Sequence, residues 1–145
     1  MFTNHKKITI RSASSEDCKA VFLMSKSMAT SFNVEQDAFT KSFLDVLNNS
    51  DSICLIAETK GSAIGYLLGF DHPAFYANSR VSWMEEIYVS DDFRRNGIGR
   101  LLTIEFEKWC SGRKSKLIGL ATRRASDFYT SMDYEESATF FRKLL

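Results

Sequence analysis

Cations and glycines are concentrated in one short stretch, VSDDFRRNGIGRLL, at residues 89–102. Gly97 and Gly99 are separated by one residue, and an apolar helical pattern begins directly behind them. A strand that runs through such a turn into a helix presents unpaired backbone N–H groups and the positive end of the helix dipole. Phosphates bind readily there, and nearby arginines add charge-assisted hydrogen bonds. The stretch therefore predicts a pyrophosphate site.

The spacing does not match the two commonest phosphate-binding loops. A nucleoside-triphosphate loop requires G-x-x-x-x-G-K-[ST], and this stretch contains no lysine. A dinucleotide fingerprint requires a third glycine where Leu102 stands. An ordinary turn with solvated arginines is the alternative interpretation.

Two adjacent acids, Glu85 and Glu86, precede the junction on a predicted strand. A carboxylate at such a position could remove the proton from an amine. Strict alternation along the strand places Glu85 on the face with Trp83, and Glu86 on the face with Met84. Only one acid could then face a cleft, and the alternative is that either acid attracts a cationic substrate or pairs with an arginine.

Hydrophobic periodicity predicts the elements that position these residues, in the order β-α-α-β-β-β-α-β-α-β. This order predicts an α/β (α+β) fold with a mixed central sheet flanked by helices, in a single domain over residues 1–145. Ser14 and Asp17 have the spacing of a capping box before the first helix. The predicted strands cover residues 7–13, 53–59, 63–70, 81–90, 116–122 and 134–145. The predicted helices lie within residues 14–32, around Phe39, Phe43 and Leu47, from Gly97 onwards, and at residues 123–132.

Composition excludes several function classes. The chain has 145 residues, 44% of them hydrophobic, and a net charge of +1, which favours a soluble domain over a surface committed to nucleic acid or anionic membrane. We find no signal peptide or bilayer-spanning stretch, so a cytoplasmic location is expected. The histidines and cysteines lack metal-ligand spacing, so no metal is expected and the cysteines are interpreted as buried thiols.

Two motifs resemble those of one family. Arg94-x-x-Gly97-x-Gly99 resembles the [QR]-x-x-G-x-[GA] motif of the GNAT superfamily of acyl-CoA-dependent N-acetyltransferases. The segment ASDFYTSMDY, residues 125–134, is similar to that family's second signature, with Asp133 in place of a glycine at a helix end. Asp tolerates the left-handed conformation required there.

The resemblance implies acetyl-CoA as co-substrate. Backbone N–H groups of the junction would bind its pyrophosphate, and the end of the preceding strand would pair with the pantetheine amides as if with an added strand. A bulge there would leave an N–H pointing at the thioester carbonyl. The implied coenzyme-binding residues are Ile87, Tyr88, Val89, Arg94, Arg95, Asn96, Gly97, Ile98, Gly99, Arg100, Thr122 and Arg124.

The resemblance also implies catalytic roles. It favours Glu85 as the base that deprotonates the acceptor, with Glu86 as the alternative. Tyr129 matches the tyrosine that protonates the departing thiolate, and core packing beside Phe128 is its alternative role.

The acceptor is interpreted as the primary amine of a small molecule. The segment DHPAFYANSR is expected to be a loop near the same end of the sheet, contributing His72, Phe75 and Tyr76 to a pocket with Trp83. A protein or peptide N-acetyltransferase and a non-catalytic acyl-CoA sensor are the alternatives. Dimers are common in the family, so the resemblance is also compatible with a homodimer.

Overall fold

The structure, a computed structural model, describes residues 7–145. Five strands form one sheet in the order β1-β2-β3-β4-β5, with antiparallel neighbours except for the parallel pair β4 and β5. The strands are β1 Thr9–Ser12, β2 Ser52–Thr59, β3 Ser62–Ala74, β4 Ser79–Val89 and β5 Ser115–Gly119. The helices are α1 Cys18–Met28, α2 Gln36–Leu47, α3 Ile98–Gly112 and α4 Ser126–Ser131. The predicted mixed sheet flanked by helices is confirmed.

The local signal at α1 is also confirmed, and a tight turn joins β2 to β3. The backbone N–H of Ser14 donates to Asp17 Oδ2 at 2.8 Å, as a capping box requires. Lys60 and Gly61 both have positive φ angles, 49° and 76°, which is the backbone of a two-residue hairpin turn. The chain therefore reverses directly from β2 into β3.

Helices cover both faces of the sheet. On one face, which we call the α3 face, strand residues such as Leu67 pack against α3. A Cβ added to Gly69 would overlap the ring of Phe106, so α3 lies in direct contact with this strand. The other face, the α1/α2 face, contains Ile56 and Tyr66, which pack with residues of α1 and α2. Cys54 and Cys110 are buried in these two cores, as expected, whereas Cys18 is only half-buried.

A buried ion-pair network joins the far end of the sheet to the end of α3. The fully buried carboxylate of Asp71 accepts hydrogen bonds from Arg80 and Arg113, which also bind Asp51. Burial alone would raise the pKa of Asp71, but the hydrogen bonds from the two guanidinium groups outweigh it and lower that pKa. The network therefore ties together the starts of β2 and β4 and the C-terminus of α3.

Two predicted strands differ from the structure. β5 was expected to be buried, but it lies at the sheet edge with one neighbouring strand, and its side chains are exposed or half-buried. The closing strand expected over residues 134–145 is wrong, because residues 135–145 have no regular structure. Their contacts come from side chains: Phe140 stacks on Trp83, and Arg142 donates to Ser31.

The predicted loop DHPAFYANSR is largely strand. His72 lies opposite Val81 and Pro73 lies opposite Arg80, so β3 and β4 continue as a two-stranded hairpin to the turn at 75–78. A proline is tolerated there because β2 pairs with β3 only as far as Phe70. Within residues 7–145, no helix combines the length and the apolar composition needed to cross a bilayer.

Candidate active site

β4 contains a β-bulge at Glu85. Glu86 lies opposite Leu68 of β3 and Met84 lies opposite Gly69, so Glu85 has no counterpart on the neighbouring strand. One extra residue reverses the phase of side-chain alternation on the bulged strand. Residues before and after Glu85 therefore do not follow one continuous pattern.

The bulge corrects the assignment of faces made from the sequence. Met84 packs in the core of the α3 face, whereas Trp83, opposite Phe70, lies on the α1/α2 face. Glu86 also lies on the α1/α2 face, because its phenol partner Tyr66 belongs to that core. The prediction that Trp83 shares a face with Glu85, and Glu86 with Met84, is wrong because alternation is interrupted between them.

β4 separates from β5 next to the bulge. The last register pair between these parallel strands joins Trp83 to Gly119. Beyond it, β4 continues for six residues, of which all except Glu85 pair with β3 and none pairs with a strand on the other side, in the part of the chain that the structure describes. Ile87, Tyr88 and Val89 lie along this open edge, where an extended chain of amide groups can add as a further strand.

The junction behind β4 has the backbone geometry typical of an anion-binding turn. Gly97 adopts a φ of 76° at the N-terminus of α3, and Arg95 adopts a φ of 64°. The first backbone hydrogen bond of the helix is donated by Leu101 to Gly97, at 3.1 Å, so earlier N–H groups lack intrahelical acceptors. The side chain of Asn96 closes the turn by donating to the carbonyls of Phe93 and Arg94. These donors fit the pyrophosphate of a coenzyme.

The two glycines have different roles. A Cβ at Gly97 would meet no atom within 4 Å, so its constraint is the left-handed backbone conformation. At Gly99 the φ angle is ordinary, and an added Cβ would lie 3.6 Å from the ring of Phe128, which is normal contact. A Cβ atom at position 99 therefore fits within the fold.

The junction arginines are not equivalent. Arg94 donates to the carbonyl of Val89 at 2.9 Å, pairs with Asp91 and lies over the ring of Tyr88. Its guanidinium therefore braces the turn. Arg95 and Arg100 are exposed, whereas the side chain of Ile98 is buried, so Ile98 can offer a ligand only its backbone.

Glu86 is the half-buried acid of the site, and Glu85 is exposed. The hydroxyl of Tyr66 donates to Glu86 Oε1 at 2.7 Å. Burial raises the pKa of Glu86, the hydrogen bond from Tyr66 opposes this, and the neighbouring charge of Glu85 adds to the rise. A carboxylate with a raised pKa is a stronger base near neutral pH.

Tyr129 is buried on the other side of β4. Its hydroxyl lies 3.6 Å from the sulfur of Met84, the residue that precedes the bulge, and its ring packs edge-on against Phe128 and Tyr134. Burial raises the pKa of Tyr129, so the phenol stays protonated and can donate. The φ of 68° at Asp133, just after α4, confirms the left-handed conformation expected there.

The residues before α4 follow the end of β5, the strand whose last partner on β4 is Trp83. The hydroxyl of Thr122 accepts a hydrogen bond from the backbone N–H of Ala125 at 3.1 Å, so it stabilises the start of α4. Arg123 and Arg124 are exposed. Their role towards a coenzyme stays a prediction.

The aromatic residues expected around an acceptor are only partly brought together. His72, Phe75 and Tyr76 lie at the hairpin end, whereas the junction follows the opposite end of β4, about 33 Å away for an eleven-residue strand. The expectation that they lie near the junction is therefore wrong. Trp83 does lie beside the bulge, and Phe140 stacks on it at 6.2 Å between ring centroids.

Sequence reasoning missed Tyr66 and Phe140. Tyr66 could have been noted as a hydroxyl on an otherwise apolar predicted strand, a position at which a buried phenol needs a partner. Its pairing with Glu86 depends on the bulge, which leaves no clear signal in the sequence. Phe140 lies in the segment that was predicted to be a strand.

A comparison with protein families gave one match. The model described as "Acetyltransferase (GNAT) family" matches residues 20–134, which is most of the chain. No match was found among the curated proteins searched.

Solved structures share the whole fold. They include a transcriptional regulator from Bacillus halodurans C-125 (TM-score 0.85, 17% identity, covering 96% of this chain and 100% of that chain). A glucosamine-6-phosphate N-acetyltransferase from Arabidopsis thaliana aligns with a TM-score of 0.85 and 14% identity, over 96% of this chain and 99% of that chain. An aminoglycoside N-acetyltransferase in complex with CoA aligns with a TM-score of 0.80 and 18% identity, over 99% of each chain. At these identities the likeness shows the fold alone.

Proposed function

Because the chain belongs to the GNAT acetyltransferase family, we propose that it transfers an acetyl group directly from acetyl-CoA to the primary amine of a small molecule. Acetyl-CoA is the co-substrate of this family and supplies the activated acyl thioester. One observation carries the proposal: a half-buried carboxylate, Glu86, lies one residue beyond the bulge at which β4 leaves β5.

The acceptor must lose a proton before it can attack. An alkylammonium group with a pKa of about 10.4 is neutral in only about one molecule in a few thousand at pH 7, a deficit of about 4.6 kcal/mol. A positioned base contributes about 10²–10⁴ in rate, which is the required size. Glu86 is the base that the geometry favours, because it lies on the same face as the aromatic side chain of Trp83. Glu85, favoured by the family resemblance, is the alternative.

In the proposed reaction, the acetyl group passes directly from the thioester to the amine. Glu86 first takes the proton that the ammonium group must lose. The amine nitrogen then forms a bond to the acetyl carbon while the carbon–sulfur bond breaks, and the second proton that this nitrogen releases passes through solvent to restore the hydroxyl of Tyr129. The thiolate that leaves takes a proton from Tyr129, whose hydroxyl lies beside Met84 at the base of the open edge. An apolar wall of Trp83 and Phe140 next to a carboxylate suits a cationic amine on an apolar body.

The coenzyme would be held mainly by backbone. The open edge at Ile87–Val89 would bind the pantetheine amides, and the N–H groups of residues 95–100 would bind the pyrophosphate. Arg95 and Arg100 would add charge, and Arg94 would hold the turn in shape. A homodimer and a cytoplasmic location stay predictions.

Release of free coenzyme A thiol tests the proposal. The protein and acetyl-CoA are incubated with simple amines, amino acids, polyamines, aminoglycosides and peptides, and each acetylated product is identified by mass. Turnover of small amines supports the proposal. Turnover of peptides alone would instead indicate a protein N-acetyltransferase, and acetyl-CoA binding without any turnover would indicate a sensor.

A further inference from the structure

We propose that Tyr66 is a positioning residue, which keeps the carboxylate of Glu86 ionised and turns its second oxygen towards the acceptor amine. This inference rests on the proposed function, in which Glu86 is the base. It assigns a specific role in the reaction to a core residue on β3.

The hydrogen bond between the two side chains is short and well anchored. Tyr66 is only 1% exposed, and its hydroxyl donates to Glu86 Oε1 at 2.7 Å. The same hydroxyl lies 3.7 Å from the sulfur of Met28 at the end of α1, and the ring packs 6.4 Å from that of Tyr88. A buried ring with two rotatable bonds holds its donor in place, so Oε1 is fixed and Oε2 is the oxygen left for the amine.

The bulge is what allows this contact. Tyr66 lies opposite Tyr88, and Glu86 is two residues before Tyr88, so the pair is a diagonal neighbour across β3 and β4. Diagonal neighbours are about 7–8 Å apart at Cα, within reach of an aromatic side chain. If the side chains of β4 alternated regularly from Met84 onwards, Glu86 would lie on the same face as Met84 and could not reach Tyr66. The extra residue therefore selects the face, and Tyr66 fixes the orientation.

The electrostatic surroundings explain why the phenol matters. Besides Tyr66, the titratable groups that interact with Glu86 among residues 7–145 are Cys54 from β2 and Glu85 from β4. Tyr88, two residues further along β4, packs against the ring of Tyr66. The neighbouring Arg94 uses its guanidinium on Val89 and on an aspartate instead. Burial and Glu85 both disfavour the ionised carboxylate, and the hydrogen bond from Tyr66 favours it.

The direct test is Tyr66→Phe, which keeps the ring and removes the donor. Glu86 should then stay protonated to higher pH, so the acid limb of the kcat/KM profile should move upwards by about one pH unit. On the acid side of both midpoints, kcat/KM should fall about tenfold, and it should recover at high pH, while the Kd for acetyl-CoA stays the same. A purely structural role would lower activity by one factor at all pH values.

Tyr134→Phe is the matched control. Like Tyr66, Tyr134 donates a hydrogen bond to a glutamate, Glu107, at 3.0 Å, but Tyr134 is half-buried and this pair lies on the opposite face of the sheet from Glu86. Its removal should lower thermal stability to a similar extent and leave the pH profile unchanged. In a Glu86→Gln background, Tyr66→Phe should have almost no further effect on turnover.

The inference and the proposed function fail in different ways. If Tyr66→Phe has the wild-type pH profile while the enzyme acetylates amines, the inference is overturned and the function stands. If no amine is acetylated, the proposed function fails, and the positioning role is then judged by titrating a ¹³C-labelled carboxyl of Glu86 by NMR. A midpoint that is the same in wild type and Tyr66→Phe overturns the inference, and a higher midpoint in the variant supports it.

Discussion

Replacing Glu86 by Gln is the most informative single change. Gln has nearly the same shape, and its carbonyl can still accept the hydrogen bond that Tyr66 donates, so the fold should be kept. The amide cannot accept the proton of the amine. Turnover at pH 7 should therefore fall about 10²–10³-fold, within the range of a positioned base, which corresponds to about 3–4 kcal/mol of lost transition-state stabilisation.

The pH dependence sharpens this prediction. The fraction of neutral alkylamine rises about tenfold per pH unit below its pKa, so the deficit should shrink to about tenfold or less by pH 10. On the acid side, the pKa of Glu86 is raised by burial, so wild-type activity should fall as the pH drops, at a pH above the usual carboxyl range. Thiol release with saturating acetyl-CoA from pH 5 to pH 10 measures both limbs.

Glu85→Gln is the matched control for this change. Glu85 is exposed at the bulge, so its loss should reduce turnover less than about fivefold. A larger loss in Glu85→Gln than in Glu86→Gln would refute the argument from the faces of β4. It would restore the assignment that the family resemblance favours.

Three further changes test other parts of the molecule. Gly99→Val should abolish acetyl-CoA binding by calorimetry while circular dichroism stays native, because the protein itself leaves room for a Cβ there; unchanged affinity would exclude the junction. Tyr129→Phe should lower turnover about 10- to 1000-fold with little change in coenzyme affinity, and wild-type turnover from pH 6 to 9 would return Tyr129 to a packing role. Asp71→Asn should lower the free energy of unfolding, measured by urea denaturation, by about 3–5 kcal/mol, since it leaves two guanidinium groups poorly paired. Asp51 is half-exposed, so Asp51→Asn should lower the free energy of unfolding much less. Because the pKa of Asp71 is lowered in the folded state, its contribution is present above the ordinary carboxyl pKa and is lost on acidification below it, and this acid-dependent loss should be smaller in Asp71→Asn.

Local features of this fold could be predicted from the sequence because local chemistry determines them. Ser14 and Asp17 form their capping box, and Asp133 takes the left-handed conformation because an aspartate tolerates it at a helix end. The turn at Gly97 was recognisable because few residues other than glycine adopt its φ angle.

The arrangement of the site depended on features that are not local. A bulge at Glu85 arises from how β4 matches β3, so alternation read from β4 alone assigned Trp83 to the wrong acid. The length of the β3–β4 hairpin likewise moved His72 and Phe75 to the far end of the sheet. Strand register is set by partners distant in sequence, which a single chain's pattern does not contain.

The bulge also constrains how this sequence can change by insertion or deletion. Removing the one unpaired residue, Glu85, would make Glu86 follow Met84 directly, so both halves of β4 would keep their faces and their partners on β3. A one-codon deletion at position 85 would thus remove the bulge without exchanging the contents of the two faces. Deleting a residue from the regular part of β4 would exchange them. Among homologous sequences, a change of one residue in the spacing between Trp83 and the glycine turn should therefore occur at the bulge.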